Sequence, residues 1–188
     1  MQKRRLALFP FLPLMRTFNL VLVIALIAAV LSGCSGNPGE VKTVPAVVTS
    51  IADGDTIHVK LDGREEKVRF IGVNCPEIAH PDLNIKEQPY GREAAAYTKN
   101  RLLMKKVWLE FDAGQRDKYG RLLAYVWLGQ PVSGSAQEAR SKMFNAELLL
   151  KGYAQVMTVP PNVKYAGLFV ELQREAQEAG RGLWGRAR

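Results

Sequence analysis

Cysteine and histidine are scarce in this chain, with only two residues of each type among 188. Cys34 ends an apolar leader segment, so Cys75 is left without a partner and we expect no internal disulfide. His58 and His80 have no further residue at metal-ligand spacing, which argues against a zinc site. The fold must then be held by its hydrophobic core, and about 150 residues are enough for one such domain.

A membrane-spanning apolar run is also missing. The apolar run at residues 20–31 is about a dozen residues long, whereas a spanning helix needs roughly 20. Basic residues precede this run and small residues follow it, so residues 1–33 are typical of a cleaved lipoprotein signal peptide. Cys34 would then be the lipidated first residue, followed by a tether to residue 43, and residues 44–188 would form an extracytoplasmic domain at the cell membrane. An ordinary signal peptide with an incidental cysteine is the alternative.

Acidic side chains are absent from residues 1–33, which contain four of the 26 basic ones. Without this segment the chain has 22 basic and 18 acidic side chains, a net charge of +4 instead of +8. This moderate charge favours polyanionic partners or a membrane surface only weakly, and it does not by itself select a function.

Hydrophobic periodicity predicts a small α+β domain. Short alternating segments bounded by Asp-Gly turns indicate five strands, and apolar residues at helical spacing indicate three helices. The predicted strands are 46–51, 57–61, 67–73, 107–111 and 122–128, and the predicted helices are 89–104, 143–150 and 165–179. The order βββαββαα favours a five-stranded antiparallel β-barrel of the oligonucleotide-binding (OB-fold) type, partly closed, with residues 133–141 as a polar loop.

Candidate functional residues lie in three short motifs at the ends of predicted strands. These motifs are Asp-Gly-Asp-Thr at 53–56, Val-Arg-Phe-Ile-Gly-Val-Asn-Cys-Pro-Glu at 68–77 and Asp-Lys-Tyr-Gly-Arg at 117–121. Guanidinium groups bind phosphate oxygens, and carboxylate and amide oxygens suit a divalent cation. Together they indicate phosphate chemistry with a metal ion. Taken singly, Arg69 could be a solvated strand residue paired with Glu66 or Glu77.

The three motifs, with Tyr-Gly-Arg-Glu-Ala at 90–94 between the second and the third, resemble the thermonuclease (staphylococcal nuclease-like) family. The resemblance extends over residues 44–185 and includes the closing Gly-Leu-Trp-Gly at 182–185. It implies a phosphodiesterase that hydrolyses DNA and RNA to products with 3′-phosphate ends, and that acts with Ca²⁺. We expect the protein to be a monomer.

The resemblance also implies a role for each motif residue. Arg69 and Arg121 would neutralise the phosphate, and Glu77 would be the base that activates or orients the attacking water. The remaining implied contacts are Asp55, Asn74 and the backbone carbonyl of Cys75 as Ca²⁺ ligands, and Lys118 and Tyr119 as contacts to the substrate's terminal phosphate.

Two of these positions depart from the family pattern, because many members have aspartate and threonine where this chain has Asn74 and Cys75. Asparagine keeps the ligand oxygen but removes a negative charge, so we predict weaker Ca²⁺ binding than an aspartate would give. The change also leaves open a second hypothesis, a catalytically impaired module that only binds nucleic acid or protein. The presence of Asp55, Glu77 and both arginines favours the enzyme.

Overall fold

The computed structural model describes residues 41–79 and 86–185. The predicted signal peptide, Cys34 and most of the predicted tether lie outside the described residues, and so does His80. Among the helices of the described ranges, none combines the length and the apolar character that a bilayer crossing requires.

Five strands form a closed β-barrel in the order β1-β2-β3-β6-β5. They are β1 (Thr43–Asp53), β2 (Thr56–Leu61), β3 (Arg64–Phe70), β5 (Lys106–Glu110) and β6 (Leu122–Trp127). The predicted α+β barrel is confirmed, but it is closed and mixed, since β3 pairs with β6 in parallel. The prediction of an all-antiparallel barrel is therefore wrong for this pair. A helix and β5 separate β3 from β6 in the chain, which provides the crossover that parallel neighbours need.

The first three strands pair antiparallel in chain order and form a meander. Asp62 and Gly63 join β2 to β3 with φ values of 47° and 81°, the backbone of a tight hairpin turn. Irregularities in the pairing of β1 with β2, between Val48 and Ser50 and again between Ile51 and Asp53, bend β1. The bent strand also pairs with β5, and this closes the barrel.

The predicted third strand, 67–73, is divided in the structure. After β3 the chain turns at Gly72, where φ is 78°, and β4 (Gly72–Asn74) leaves the barrel. It pairs antiparallel with β7 (Gln155–Met157), a short strand that the sequence pattern did not predict. A Cβ on Gly72 would lie 2.5 Å from the ring of Phe169, so the turn requires glycine. After this turn Asn74 contacts Arg69 of β3, and Cys75 packs against Gly54.

Four α-helices are present in the described residues, one more than predicted. They are α1 (Gly91–Leu102), α2 (Ala136–Lys142), α3 (Phe144–Leu150) and α4 (Ala166–Glu178), followed by a 3₁₀ turn at Gly182–Trp184. The prediction of a polar loop at 133–141 is wrong for most of its length, because α2 forms there. Ser135 Oγ accepts the Glu138 N–H at 3.2 Å, and the Glu138 carboxylate accepts N–H groups of the preceding turn. Only Ala139 of α2 is buried, so the helix shows little apolar periodicity.

The core lies inside the barrel and under α3 and α4. Trp127, Phe144 and Phe169 are buried there, as expected of core residues, whereas Trp108 is only partly buried. Trp127 Nε1 donates to Glu110 Oε2 at 2.8 Å, so its polar edge is satisfied. Cys75 is a free thiol in the same core.

Candidate active site

Asp53, Gly54 and Asp55 form the turn between β1 and β2 and pack directly against Cys75. A Cβ on Gly54 would lie 2.7 Å from that of Cys75, so the backbone approach needs glycine. Thr98 of α1 donates its hydroxyl to Gly54 O at 2.6 Å and anchors the turn from below. The turn therefore holds Asp55 rigidly beside the segment that follows β4.

Asp55 is buried, with 4% of its surface exposed. Its Oδ2 accepts the Cys75 backbone N–H at 2.6 Å and lies 3.1 Å from Arg69 NH2, while Oδ1 accepts the Thr56 hydroxyl. Burial raises the pKa of Asp55, and the opposing effects of Arg69 and the hydrogen bonds do not cancel it. A carboxylate in this position would be stabilised by additional positive charge.

The guanidinium of Arg69 contacts four oxygen atoms. NH1 donates to the carbonyls of Phe70 and Val73 at 3.0 and 2.8 Å, and NH2 donates to Asn74 Oδ1 at 3.0 Å. The fourth contact is the ion pair with Asp55. Arg69 is therefore fixed at the site instead of forming the alternative pair with Glu66, whose carboxylate binds Arg116. It also orients two of the predicted metal ligands, Asp55 and Asn74.

Glu77 is half-buried in the loop that begins α1. Its backbone is held by Gln88 through two hydrogen bonds, and a Cβ on Gly91 would lie 2.3 Å from Glu77 O. Asp53, which was not among the predicted site residues, lies within hydrogen-bonding reach of the Glu77 carboxyl. Burial and this neighbour raise the pKa of Asp53 to about 8. The signal for Asp53 was its position at the start of the Asp-Gly-Asp-Thr motif.

The donor set fits a hard divalent cation. Within the described ranges, no cluster of three or more His, Cys, Asp or Glu side chains is arranged to bind a metal. The predicted donor set is not such a cluster, because only one of its ligand groups is a carboxylate. It combines the Asp55 carboxylate with the Asn74 amide oxygen and the Cys75 backbone carbonyl. Burial, with a smaller contribution from neighbouring carboxylates, raises the pKa of Asp53 and of Asp55, so their ionised forms lack compensating positive charge here. A divalent cation would supply that charge, and oxygen ligands are what Ca²⁺ prefers.

Arg121 projects from the loop between β5 and β6. Its Nε donates to Asp117 Oδ2 at 2.7 Å, and Asp117 Oδ1 accepts the backbone N–H groups of Tyr119 and Arg121 at 2.9 Å each. Although partial burial opposes it, these hydrogen bonds lower the pKa of Asp117. Tyr119 is 72% exposed, and its ring centroid lies 5.5 Å from Arg121 Cζ and 5.0 Å from Lys118 Nζ.

One open cavity of about 460 Å³ contains Arg69, Arg121, Lys118 and Tyr119. The structure therefore brings together both predicted catalytic arginines and both predicted substrate contacts. The other predicted site residues do not line this cavity; they are Asp55, Asn74, Cys75 and Glu77. Arg69 lines the cavity and also contacts Asp55, so it connects the two sets of residues. The remaining wall of the cavity is largely apolar and includes Met157, Val159, Pro160 and Pro161.

Asn162 connects the two loops that enclose this cavity. Its Oδ1 accepts the Gly114 N–H at 2.7 Å, and its Nδ2 donates to Gly114 O at 2.9 Å. Nothing in the sequence pattern marked Asn162 as a site residue, because the contact joins positions 48 residues apart.

Residues 67–186 match the family model described as staphylococcal nuclease homologue. The chain is 38% identical over 173 residues to a thermonuclease of Staphylococcus intermedius, a match that covers 89% of this chain and 95% of the relative. It is 41% identical over 137 residues to a thermonuclease of Staphylococcus hyicus, covering 73% of each chain. It is also 36% identical over 159 residues to endonuclease YncB of Bacillus subtilis strain 168, covering 83% of this chain and 69% of the relative. The chain therefore belongs to the staphylococcal nuclease homologue family and is a nuclease.

Proposed function

We propose that this nuclease is a Ca²⁺-dependent phosphodiesterase that hydrolyses DNA and RNA to products with 3′-phosphate ends. The observation that carries the proposal is the position of Arg69. It contacts the ligand oxygens of Asp55 and Asn74 on one side and lines the cavity of Arg121 on the other. A phosphate at this junction would meet positive charge from both arginines next to the Ca²⁺ ligands.

A phosphodiester resists attack because its negative oxygens repel the nucleophile. Arg69 acts from a fixed position, since its N–H groups already contact four oxygens, and it contributes mainly its charge. Arg121 is held through Nε, and the hydrogen bonds found among the described residues leave its two terminal NH₂ groups for the phosphate. When bound at Asp55, Asn74 and Cys75, Ca²⁺ supplies further positive charge.

Glu77 is the proposed base. It accepts a proton from the attacking water, the new bond forms to phosphorus, and the bond from phosphorus to the 5′ oxygen breaks. The leaving 5′ oxygen takes a proton from solvent, and the phosphate remains on the 3′ side. Its half-buried position in a loop anchored by Gln88 and Gly91 gives Glu77 access to water with little freedom to move.

The proposal is tested by incubating the purified protein with heat-denatured DNA, with Ca²⁺ and with a chelator. We expect cleavage only with Ca²⁺ and its loss in Glu77→Gln, whereas Glu65→Gln, at an exposed position on β3, retains full activity. Polymerase extension of the products only after phosphatase treatment would identify 3′-phosphate ends. Retention of DNA by folded protein that does not cleave would support the binding-module hypothesis instead.

The predicted lipid anchor is part of this proposal. Lipidation of Cys34 would hold the nuclease at the outer side of the cell membrane, with the signal peptide removed. We expect the protein to fractionate with membranes and to incorporate labelled fatty acid, and Cys34→Ala to incorporate none. Label retained by this variant would contradict lipidation at Cys34.

A further inference from the structure

A second open cavity, of about 510 Å³, lies where α1, α2 and α3 meet. It shares no lining residue with the cavity of Arg69 and Arg121. Its lining is dominated by cationic and hydroxyl side chains, with one carboxylate. The polar lining residues are Tyr97, Arg101, Arg140, Ser141, Glu147, Lys151 and Arg181.

Two of the four cations are held by carboxylates. Arg101 donates from Nε and NH2 to the two oxygens of Glu147 at 2.7 and 2.8 Å, and the Tyr97 hydroxyl also donates to Glu147. Arg140 donates from NH1 and NH2 to the two oxygens of Glu175 at 2.6 Å each. These two-point contacts fix the guanidinium planes at the rim of the cavity.

The other two cations, Lys151 and Arg181, have no carboxylate within 4.0 Å among the described residues. Arg181 NH1 donates to Leu150 O at 3.0 Å. This single contact leaves most N–H donors of the guanidinium available to a ligand. The backbone of Arg181 is locked onto the end of α3, because a Cβ on Gly152 would lie 2.2 Å from Arg181 O. Among the lining side chains, four cations face one carboxylate, Glu147, while Glu175 and Glu171 act electrostatically on Arg140. The cavity wall therefore carries excess positive charge, most of it on Lys151 and Arg181.

We propose that this cavity binds a phosphate group of the polynucleotide backbone, away from the cleaved linkage. Arg181 and Lys151 provide the excess charge in its wall. Planar guanidinium groups and ammonium groups are the side chains that bind phosphate oxygens best. Free inorganic phosphate has the same chemistry, so the two sources must be separated by experiment.

The position of the cavity relative to Glu77 favours the polynucleotide. Gly91, at the start of α1, packs against Glu77, and Arg101 near the end of the same helix lines the cavity. Ten residues of helix rise about 15 Å, and single strands occupy about 4–16 nucleotides on one OB-fold. A strand with one phosphate at the catalytic arginines is therefore long enough to place another in this cavity. This assignment rests on the proposed function for the identity of the ligand.

The test compares Lys151→Gln/Arg181→Gln with the control Lys60→Gln/Lys105→Gln, which removes the same charge at exposed positions outside both cavities. Binding of a 20-nucleotide single strand and of a dinucleotide is measured against salt concentration, with a chelator present to prevent cleavage. Loss of this one phosphate contact makes the slope of log K against log salt less steep by about 0.7 for the long strand. We expect no change for the dinucleotide or in the control.

An unchanged slope for the long strand would overturn the proposal. If inorganic phosphate, at matched ionic strength, still shifted the amide NMR signals of Ser141 and Arg181, the cavity would hold free phosphate only. Should the double variant unfold early, Lys151→Gln alone must make the slope less steep, by up to about 0.7. Failure of Ca²⁺-dependent cleavage with the slope change intact would refute the catalytic proposal and leave this site standing.

Discussion

Replacing Asn74 by aspartate is expected to tighten Ca²⁺ binding. Asn74 Oδ1 accepts from Arg69 NH2 at 3.0 Å, and the predicted Ca²⁺ ligand Asp55 contacts the same nitrogen. The substitution keeps the ligand oxygen in place and adds one negative charge. Interactions of this charge with Arg69 and Asp55 are present before and after the cation binds, so to a first approximation they do not contribute to the change in affinity.

The main contribution is the attraction between the new carboxylate and the cation. Because Asn74 is only half-buried, a water-like dielectric constant applies. Charges of +2 and −1 about 3 Å apart then attract by about 2.8 kcal/mol. Removing water from the carboxylate offsets part of this attraction, which leaves about 1.4–2.8 kcal/mol. The expected gain in affinity is therefore about ten- to a hundredfold.

Calorimetric titration of chelator-treated protein with Ca²⁺ measures this affinity without relying on activity. Asn100→Asp, at an exposed position of α1, introduces the same charge away from the site and should leave the Kd within about twofold. Equal or weaker Ca²⁺ binding by Asn74→Asp would show that Asn74 is not a ligand, and the proposed donor set would be wrong.

Five further substitutions test other parts of the structure. Arg69→Lys should weaken both Ca²⁺ binding and cleavage, because an ammonium group cannot hold the same oxygens. Arg121→Lys should lower cleavage and leave Ca²⁺ binding intact. Equal effects of the two variants on Ca²⁺ binding would contradict this difference. Gly63→Ala should lower the free energy of unfolding, measured in urea, by about 1–2 kcal/mol, because its backbone is left-handed. Gly72→Ala should lower it by about 1–3 kcal/mol more than Gly63→Ala does, because the added Cβ would also overlap the ring of Phe169. Hydrogen bonds from the backbone of Ser133 and its neighbours lower the pKa of Glu138 from 4.5 to about 2. Its stabilisation is therefore complete above pH 4.5 and is lost as the pH falls toward 2; Glu138→Gln should be about 1–2 kcal/mol less stable at pH 7 and indistinguishable near pH 2.

The barrel strands were predictable because their cause is local. Alternation in β2 puts Ile57 and Val59 on one face, and Asp62-Gly63 is a turn that few other dipeptides form. The break at Gly72 was not predictable, because apolar residues continue through it to Val73. What ends the strand is the ring of Phe169, which comes from α4, almost a hundred residues later.

The helix α2 was missed for a different reason. Its stability comes from its N-terminus, where Ser135 and Glu138 satisfy backbone N–H groups, and not from an apolar face. Ser-x-x-Glu is a recognised capping pattern, so this helix was readable from the sequence without any hydrophobic periodicity.

The structure brings four of the predicted site residues together, since contacts join Asp55 to Arg69 and Cys75, and Arg69 to Asn74. The sequence could not reveal that Arg69 orients the ligand oxygens, because this depends on the turn at Gly72. Nor could it reveal that Asp53 lies beside Glu77, since that contact joins two separate loops.

Asparagine at position 74 is expected to have a consequence besides the predicted weaker Ca²⁺ binding. Burial, with a smaller contribution from Glu77, raises the pKa values of Asp53 and Asp55, so further negative charge is unfavourable here. Two carboxylates about 4 Å apart repel by about 1 kcal/mol even in water, and by more where they are buried. A carboxylate at position 74 would add such repulsion whenever no cation is bound. We therefore expect Asn74→Asp to destabilise the metal-free protein relative to the Asn100→Asp control, and equal free energies of unfolding in urea with a chelator would contradict this.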